Sequence, residues 1–468
     1  MNPRVFREYD IRGVAERDLD DATVRALGAA LGAQVTEGAQ TPISASGSGP
    51  VVVGRDPRTH SPRLFAALTD GLRARAEVID IGVVPTPVLY FAAHHLRPAA
   101  AVMITGSHNP AEDNGFKIMI GHETLHGAAI TALRDRVSAL VGQPAQPPVN
   151  PIRSQDVLDP YLDRAIASLR LGTRRFRVVV DAGNGAGGPT ALALYRRLGF
   201  DVVPLYCDLD GTFPNHHPDP TQPENLAALI ATVAREGAEL GIALDGDADR
   251  IGVVDATGRI LWGDQLMILF GKALLREQPG ARFVGEVKCS QAMFDELAAA
   301  GGTVEMWKVG HSLIKARMKE IGAALAGEMS GHMFFAHRWL GFDDAIYAGA
   351  RLIELLSAGR DTLAELAGAL PVMINTPELR IDCPDSKKFA LVAAVTERLR
   401  ADPAVTSVVD IDGVRASFAG GWGLVRASNT QPALVMRCEA TDATRLAEIK
   451  AAIEAHLAAI EGAAGQLP

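Results

Sequence analysis

Runs of apolar residues alternate with amphipathic segments along most of the chain, and this alternation recurs with one spacing. In three places a short apolar run is followed by a helical segment and then by a second apolar run roughly two dozen residues later, the spacing of a β-α-β crossover. The six predicted strands are Gly49–Gly54, Val78–Ile81, Val178–Asp181, Val202–Leu205, Phe283–Glu286 and Thr303–Met306. Three such units, about a hundred residues apart, predict three similar mixed α/β domains.

The C-terminal part of the chain has a different pattern, because its apolar runs lie close together between two helical segments. The predicted elements are strand Leu379–Ile381, helix Ser386–Leu399, strands Ser407–Asp412, Gly423–Ala427 and Ala433–Cys438, and helix Ala443–Leu457. Strands grouped between helices predict an α+β domain. The expected fold is therefore three α/β domains and a C-terminal α+β domain around a central cleft.

The expected domain boundaries lie where turn-forming residues separate these units. Linkers are predicted near 144–151, just after 250–255, and near 367–371. The expected domains are 1–150, 151–254, 255–369 and 370–468.

Composition limits the kinds of protein that this chain can be. With 48% hydrophobic and 22% charged residues, the 468-residue chain has the balance of a soluble globular protein. The net charge of −9 argues against a nucleic-acid partner, because phosphate backbones are bound by basic faces. No uncharged apolar run approaches the roughly 20 residues that span a bilayer, so no membrane partner is expected.

The four cysteines are far apart and include no C-x-x-C pair. This spacing argues against both a zinc site and a disulfide framework, and it predicts a cytoplasmic protein.

Three segments could carry chemistry, and the first is Thr105–Pro110. It follows the apolar strand Ala99–Ile104, so Ser107 would lie at the carboxyl end of a strand, where open α/β sheets bind ligands. Lys117 is within plausible reach of a phosphate bound there. From spacing alone, a tight turn with an incidental serine hydroxyl remains an equal alternative.

The second segment is Asp245–Arg250, which places three alternating carboxylates directly after the apolar strand Leu240–Leu244. A hard cation with oxygen ligands would relieve the repulsion among Asp245, Asp247 and Asp249, and Mg²⁺ is the natural choice beside a phosphate. The alternative is a solvated acidic turn.

The third segment is Arg426–Thr430, with Arg437 on the next strand. An arginine fork beside hydroxyl, amide and backbone N–H groups can hold phosphate oxygens. Alone, this signal is weak.

A competing interpretation comes from Gly183–Gly188, which fits the dinucleotide-binding pattern G-x-G-x-x-G between a strand and a helix. Asp208 could then bind a ribose, as in an NAD-dependent oxidoreductase. A tight strand-to-helix turn would need the same glycines, and the oxidoreductase interpretation leaves the other three segments unexplained.

Taken together, the motifs resemble the α-D-phosphohexomutase superfamily, and in particular its bacterial phosphomannomutase/phosphoglucomutase branch. The resemblance runs in order along nearly the whole chain. Its segments are Tyr9–Gly13, the phosphoserine loop Thr105–Pro110, the metal loop Asp245–Arg250, the sugar loop Gly327–His332 and the phosphate loop Arg426–Thr430.

The resemblance implies an enzyme that interconverts hexose 1-phosphate and 6-phosphate through a phosphoserine and a hexose 1,6-bisphosphate, which also serves as activator. It implies Mg²⁺ held by Asp245, Asp247, Asp249 and an oxygen of phosphorylated Ser107. It further implies small sugar phosphates as partners and a monomeric enzyme.

The resemblance also implies roles for individual residues. Those implied for catalysis are Ser107, Arg12, Lys117, His311 and Arg250. Those implied for substrate binding are Tyr9, Lys288, Glu328, Ser330, His332, Arg426, Ser428, Asn429 and Thr430. A phosphoglucosamine mutase is the alternative within the superfamily, although Glu328-Met329-Ser330 and Ser428-Asn429-Thr430 match the mannose/glucose branch better.

Overall fold

The computed structural model describes residues 1–36, 49–428 and 431–464. No helix in those ranges is both long enough and apolar enough to cross a bilayer. The described strands form four sheets, which follow one another along the chain.

The first sheet contains seven strands in the order β1-β5-β4-β2-β3-β7, with β6 paired to β5. Its strands are β1 (Ile11–Val14), β2 (Val51–Arg55), β3 (Val78–Val83), β4 (Ala100–Ile104), β5 (Asp113–Ile120), β6 (Glu123–Thr124) and β7 (Ile152–Ser154). The helices of this unit are α1 (Ala15–Asp18), α2 (Asp21–Thr36), α3 (Ser61–Leu72), α4 (Thr86–Leu96) and α5 (Ala128–Leu140), after a 3-10 turn at Pro3–Val5.

The second sheet contains five strands in the order β12-β11-β10-β8-β9. Its strands are β8 (Arg177–Asp181), β9 (Asp201–Leu205), β10 (Leu240–Leu244), β11 (Ile251–Asp255) and β12 (Ile260–Leu261). The helices are α6 (Leu158–Ser168), α7 (Gly188–Arg197) and α8 (Ala227–Glu236), with a 3-10 turn at Pro223–Leu226.

The third sheet contains four strands in the order β14-β13-β15-β16. Its strands are β13 (Arg282–Glu286), β14 (Thr303–Trp307), β15 (Leu325–Gly327) and β16 (Met333–Phe335). The helices are α9 (Gly263–Glu277), α10 (Gln291–Ala299), α11 (His311–Ile321), α12 (Ala345–Ala358) and α13 (Leu363–Gly368).

The fourth sheet is antiparallel, in the order β17-β22-β21-β20-β19 with β18 paired to β22. Its strands are β17 (Ile374–Asn375), β18 (Leu379–Asp382), β19 (Val405–Val409), β20 (Val414–Phe418), β21 (Gly421–Ala427) and β22 (Ala433–Ala440). Its helices are α14 (Asp385–Arg400) and α15 (Ala443–Ala464). The expected fold class, three α/β units and a C-terminal α+β unit, is confirmed.

The three predicted β-α-β pairs are present as β2–β3, β8–β9 and β13–β14, and each pair is parallel. In β2, β8 and β13 almost every residue is buried, and their β-branched and apolar residues favour extended backbone. In the fourth unit the prediction was partly wrong: the strand expected at Ser407–Asp412 lies at Val405–Val409, and β20 was missed. Arg415, a buried charge within β20, interrupts the continuous apolar run by which the other strands were recognised, although apolar and polar residues alternate from Val414 to Phe418.

One hydrophobic core runs through the first three units. Tyr90, Val180, Phe283 and Phe335 belong to the same buried cluster although they come from three different units. The core of the fourth unit is separate and is built from α14, α15 and the inner face of its own sheet. Burial of apolar surface therefore fixes the first three units to one another more extensively than it fixes the fourth.

Arg415 joins the fourth unit to the third. Its guanidinium lies 3.8 Å from the ring centre of Trp422 and donates hydrogen bonds of 2.7 Å to the carbonyl oxygens of Val287 and Cys289. This contact allows few alternative arrangements, because removing one of the partners of the buried cation would leave part of its charge unsatisfied.

Candidate active site

Each of the four loops singled out in the sequence joins two adjacent antiparallel strands. The phosphoserine loop joins β4 to β5, the metal loop joins β10 to β11, the sugar loop joins β15 to β16, and the phosphate loop joins β21 to β22. All four loops reach one cleft of about 1270 Å³. Among the residues that line this cleft, Arg and Lys outnumber Asp and Glu, the reverse of the whole chain, so the cleft favours an anionic ligand.

The structure brings the predicted site residues together wherever it describes them. Those on the cleft wall are Tyr9, Arg12, Ser107, Lys117, Asp249, Arg250, Lys288, His311, Glu328, Ser330, His332, Arg426 and Ser428. Asp245 and Asp247 are fully buried and contact Ser107 and Lys117 respectively. Asn429 and Thr430 lie outside the described residues.

Ser107 has a backbone conformation that few residues adopt. Its φ is +49°, in the left-handed region, and only 2% of the residue is exposed. Its hydroxyl donates a 2.7 Å hydrogen bond to Asp245 Oδ2 and lies 3.1 Å from His108 Nδ1. A non-glycine residue at positive φ costs about 1–3 kcal/mol and persists only where its surroundings hold it, as they often do at functional sites.

Arg58 holds this loop in place, and sequence reasoning missed it. Its guanidinium is buried and donates to the carbonyl oxygens of Ser107 and Asn109 at 2.7 Å, and to those of Pro110 and Asp113. The one available signal was the charged pair Asp56-Pro57-Arg58 directly after β2, because buried charges that close together must satisfy one another.

Gly106 and Gly246 allow the two loops to approach closely. A Cβ on Gly106 would lie 2.6 Å from the Arg58 guanidinium, and one on Gly246 would lie 2.3 Å from the Ser107 carbonyl oxygen. Any larger side chain at Gly246 would therefore force the metal loop away from the phosphoserine loop.

The three aspartates of the metal loop have an oxygen set suited to a divalent cation. Each is 0% exposed, and one oxygen from each lies within 4.8 Å of the others. Within the described part of the chain, Asp247 Oδ1 and Asp249 Oδ1 are buried without a hydrogen-bond partner. Buried anionic oxygens that lack partners are costly, and Mg²⁺ prefers such ligands, so the residues fit this ion.

Burial and neighbouring charges shift the pKa values of Asp245 and Asp247 in opposite directions. Burial, together with the neighbouring Asp247 and Asp249, raises the pKa of Asp245 well above its usual value. Burial also acts to raise the pKa of Asp247, but the ammonium of Lys117, 2.6 Å away, outweighs it and lowers the pKa. Asp247 thus depends on the Lys117 ammonium to stay ionised.

Lys117 supplies that positive charge from β5. Its Nζ donates to Asp247 Oδ2 at 2.6 Å and also to Asp249 Oδ2. Burial disfavours the ammonium, but these carboxylates dominate and raise the pKa of Lys117. Lys117 therefore remains a cation beside the metal-loop carboxylates.

Arg12 and Tyr9 close the site from the N-terminal segment. Arg12 donates to Asn109 Oδ1 at 2.7 Å and to the Gly106 carbonyl at 3.2 Å, and it pairs with Asp10. The Tyr9 hydroxyl donates to the Val309 carbonyl at 2.9 Å, just before His311.

The sugar loop presents its carboxylate on a fixed backbone. Glu328 Oε1 accepts a 2.7 Å hydrogen bond from Gly310 N, and Ser330 Oγ donates to Glu328 Oε2 at 3.2 Å. Lys288, from the loop after β13, pairs with Glu378 at 3.2 Å. These side chains come from three separate segments and line the same cleft.

In the phosphate loop, the guanidinium of Arg426 binds the carboxylate of Asp412, and a phosphate could take the place of that carboxylate. Arg426 forms a two-pronged contact with Asp412, with N–O distances of 3.0 to 3.2 Å. Arg437, on the neighbouring strand β22, donates to the Lys288 carbonyl and so ties the fourth sheet to the third unit. A phosphate has the same two-oxygen geometry as the carboxylate that Arg426 now binds.

The glycine-rich segment Gly183–Gly188 has a packing role. Ala186 N donates to the Gly246 carbonyl at 2.9 Å, and a Cβ on Gly185 would lie 2.6 Å from that oxygen. A Cβ on Gly187 would lie 2.7 Å from the Ala248 side chain. The glycines therefore let this turn pack against the metal loop, which accounts for them without a dinucleotide.

The chain matches the phosphoglucomutase/phosphomannomutase family throughout its length. The matches are to the family's alpha/beta/alpha domains I, II and III over residues 3–139, 159–258 and 262–373, and to its C-terminal domain over 378–456.

Relatives and solved structures agree with this assignment. The chain is 45% identical to a phosphomannomutase/phosphoglucomutase of Pseudomonas putida over 98% of this chain and 96% of the relative. It is 42% identical to a phosphoglucomutase of Neisseria gonorrhoeae over 97% of each. An X-ray structure of a phosphoglucomutase/phosphomannomutase family protein from Burkholderia thailandensis has 42% identity and a TM-score of 0.89 over 98% of both chains. The four ordered domains and the cleft between them thus place this chain in the phosphoglucomutase/phosphomannomutase family.

Proposed function

We propose that the chain is a phosphohexomutase that interconverts hexose 1-phosphate and hexose 6-phosphate, with mannose and/or glucose as the sugar. The observation that carries the proposal is the position of Ser107 Oγ. It lies 2.7 Å from a metal-loop carboxylate, in a cleft lined by cations from several units. The active form carries a phosphoryl group on Ser107, and hexose 1,6-bisphosphate is both intermediate and activator.

The transfer step needs positioning and charge stabilisation more than covalent chemistry. A sugar hydroxyl oxygen attacks the phosphorus on Ser107, so one O–P bond forms while the bond from phosphorus to Ser107 Oγ breaks. The sugar hydroxyl loses its proton and the Ser107 oxygen regains one, so the step is balanced. Mg²⁺ held by Asp245, Asp247, Asp249 and a phosphoserine oxygen would supply charge neutralisation and polarise the phosphorus when bound.

The protonation state of each side chain indicates what it can contribute to the transfer step. Burial, together with the nearby cation Lys315, lowers the pKa of His311 well below its usual value, so His311 lines the cleft as a neutral imidazole. Lys117 remains an ammonium and serves as a donor rather than a base. Arg250 and Arg12 place further N–H groups around the Ser107 loop, where charge develops on the transferred group.

The bisphosphate must turn around so that its other phosphate can return to Ser107. One set of residues must therefore hold two opposite poses of the sugar. Arg426, Ser428, Asn429 and Thr430 would bind the phosphate that is not reacting. Glu328, Ser330 and His332 would bind sugar hydroxyls, with Lys288 and Tyr9 alongside. Because one chain supplies every one of these groups, we expect a monomer to be active.

The experiment that tests the proposal is a mutase assay with mannose 1-phosphate, glucose 1-phosphate and glucosamine 1-phosphate, with Mg²⁺ and a trace of hexose 1,6-bisphosphate. We expect turnover of mannose or glucose 1-phosphate to the 6-phosphate, at a kcat/KM well above that for the glucosamine compound. Turnover of the glucosamine phosphate alone would contradict the sugar assignment. Failure to exchange any hexose phosphate would contradict the proposed function.

A further inference from the structure

Arg250 has a hydrogen-bond partner on the side away from Ser107. Its Nε donates a 2.9 Å hydrogen bond to His332 Nε2, and the two residues also form an isolated antiparallel bridge through their backbones. On its other side, Arg250 Nη1 lies 3.4 Å from His108 Nε2, and His108 Nδ1 lies 3.1 Å from Ser107 Oγ. The direction of the Arg250 guanidinium is therefore set partly by His332.

The bond from Arg250 determines which nitrogen of His332 carries a proton. Because Arg250 Nε can only donate, His332 Nε2 must offer a lone pair. The ring proton of His332 is then on Nδ1. That nitrogen lies 3.2 Å from Asp343 Oδ2 and 3.7 Å from Asp249 Oδ1, and all three residues are buried. Among the described residues, His332 Nδ1, Asp343 Oδ2 and Asp249 Oδ1 are all buried without a well-aligned hydrogen bond, so the proton on Nδ1 faces two carboxylate oxygens that lack other partners.

Asp343 is oriented in turn by Lys315. Lys315 Nζ donates to Asp343 Oδ1 at 2.9 Å and lies 4.2 Å from the ring centre of the buried Tyr90. This contact occupies one oxygen of Asp343 and leaves the other, Oδ2, for His332. Asp343 is 0% exposed, so bulk solvent does not reach either oxygen.

The same three side chains could be taken for a metal site, because Asp249, His332 and Asp343 each offer an atom within 4.8 Å of the others. A metal on His332 Nδ1 would leave the proton of the neutral ring on Nε2. That proton would then meet the N–H of Arg250, donor against donor, at 2.9 Å. The contact with Arg250 therefore favours a proton over a metal at this position.

We propose that Asp343, held by Lys315, is a positioning residue that fixes the tautomer of His332 and thereby directs Arg250 toward the phosphoserine loop. The inference about the tautomer is independent of the proposed function, and only its effect on rate rests on that function. Asp343 does not line the cleft. It acts through His332, as carboxylates behind functional histidines commonly do.

The test is the substitution Asp343→Asn in the full chain. Lys315 would retain the amide oxygen, so the amide NH₂ would face His332 Nδ1 and require a lone pair there. His332 would then carry its proton on Nε2, against Arg250. We expect nitrogen NMR of ¹⁵N-histidine-labelled protein, with the His332 signals assigned by loss in His332→Gln, to show this switch. We also expect kcat/KM to fall about 10–100-fold, as when other partners behind functional histidines are removed.

Asp344→Asn is the matched control, because it makes the same change one residue away. Asp344 is also buried, but it accepts hydrogen bonds from Tyr161, Trp339 and the Tyr347 backbone rather than contacting His332. We expect its His332 tautomer to match the wild type.

Several results would overturn the inference. Wild-type His332 protonated on Nε2 would contradict it even if Asp343→Asn failed to fold. An unchanged tautomer in Asp343→Asn would do the same. A switched tautomer with undiminished kcat/KM would remove the positioning role. If the wild type lacked mutase activity but the tautomer switched, the proposed function would fail while the tautomer assignment stood.

Discussion

Asp245 Oδ2 accepts a 2.7 Å hydrogen bond from Ser107 Oγ across 138 residues of sequence. This contact joins the first sheet to the second and places the serine hydroxyl beside three carboxylates. It needs both the left-handed backbone of Ser107 and a metal loop that approaches to within van der Waals contact at Gly246. The account of the chain as a phosphoryl-transfer enzyme depends on this contact more than on any other.

The loop geometry at Ser107 predicts that Arg58→Lys impairs transfer. A lysine ammonium cannot reach the several carbonyl oxygens that the Arg58 guanidinium now binds, so the loop would relax and move the hydroxyl. We expect kcat to fall by about 100-fold, the cost of misplacing a reacting group by roughly 1 Å. Arg55→Lys is the control, because Arg55 pairs with Asp80 away from the cleft. Equal kcat values for the two variants would argue against the scaffold role.

The metal loop predicts a dependence on divalent cations. Exhaustive chelation should abolish mutase activity, and added Mg²⁺ should restore it. Asp247→Asn should weaken Mg²⁺ binding by more than about tenfold, since loss of even an indirect partner costs that much. Titration calorimetry measures this directly. Asp255→Asn, a buried residue of the same hairpin whose carboxylate accepts bonds from the Thr257 and Arg259 backbones, should bind Mg²⁺ as the wild type does.

The phosphate loop predicts that Arg426→Lys raises KM more than it lowers kcat. The lysine keeps the charge but loses the two-pronged contact with a phosphate, and that contact exists in both the ground and transition states. A hydrogen bond to a charged group contributes about 1.5–3 kcal/mol, so KM should rise roughly 10–100-fold. Arg445→Lys, an exposed ion pair with Glu448 in the same domain, should leave KM unchanged. A fall in kcat alone would place Arg426 at the reacting phosphate.

Asp344 predicts a pH dependence of stability. Burial raises the pKa of Asp344 to about 7, whereas an unfolded aspartate has a pKa of about 3.9. Between these values the folded chain holds a proton that the unfolded chain has released. The contribution of Asp344 to the free energy of unfolding should therefore fall by about 1.4 kcal/mol per pH unit as pH rises, and should level off above pH 7.

Urea unfolding at several pH values between about 4.5 and 7.5 measures this effect. Wild type should lose stability relative to Asp344→Asn as pH rises, because the asparagine cannot ionise. Parallel pH profiles for the two proteins would show that Asp344 has an ordinary pKa.

Much of the fold could be predicted because strands buried on both faces leave continuous apolar runs. Leu240–Leu244 was located to the residue, and Val178–Asp181 to within one residue. The β20 strand was missed because it buries Arg415, whose charge is satisfied only by carbonyls of another unit. The burial of Arg415 depends on these distant carbonyls and could not be inferred from the residues next to it in sequence.

The site was predicted unevenly for the same reason. Ser107 and the aspartates of the metal loop could be found because their residue types are unusual directly after strands. Arg58, Lys315 and Asp343 act through contacts with residues distant in sequence, and only the folded chain brings them together. The roles of all these residues remain predictions for the experiments above.

The central claim is that Ser107 carries the phosphoryl group that is transferred. Incubation with hexose 1,6-bisphosphate and Mg²⁺, followed by intact-mass analysis and peptide mapping, tests it most directly. The account predicts one added phosphate, on the peptide containing Ser107, which is lost on incubation with excess hexose phosphate; Ser107→Ala should neither acquire it nor turn over substrate. Phosphate on a different residue of an active preparation, or full turnover by Ser107→Ala, would contradict the account.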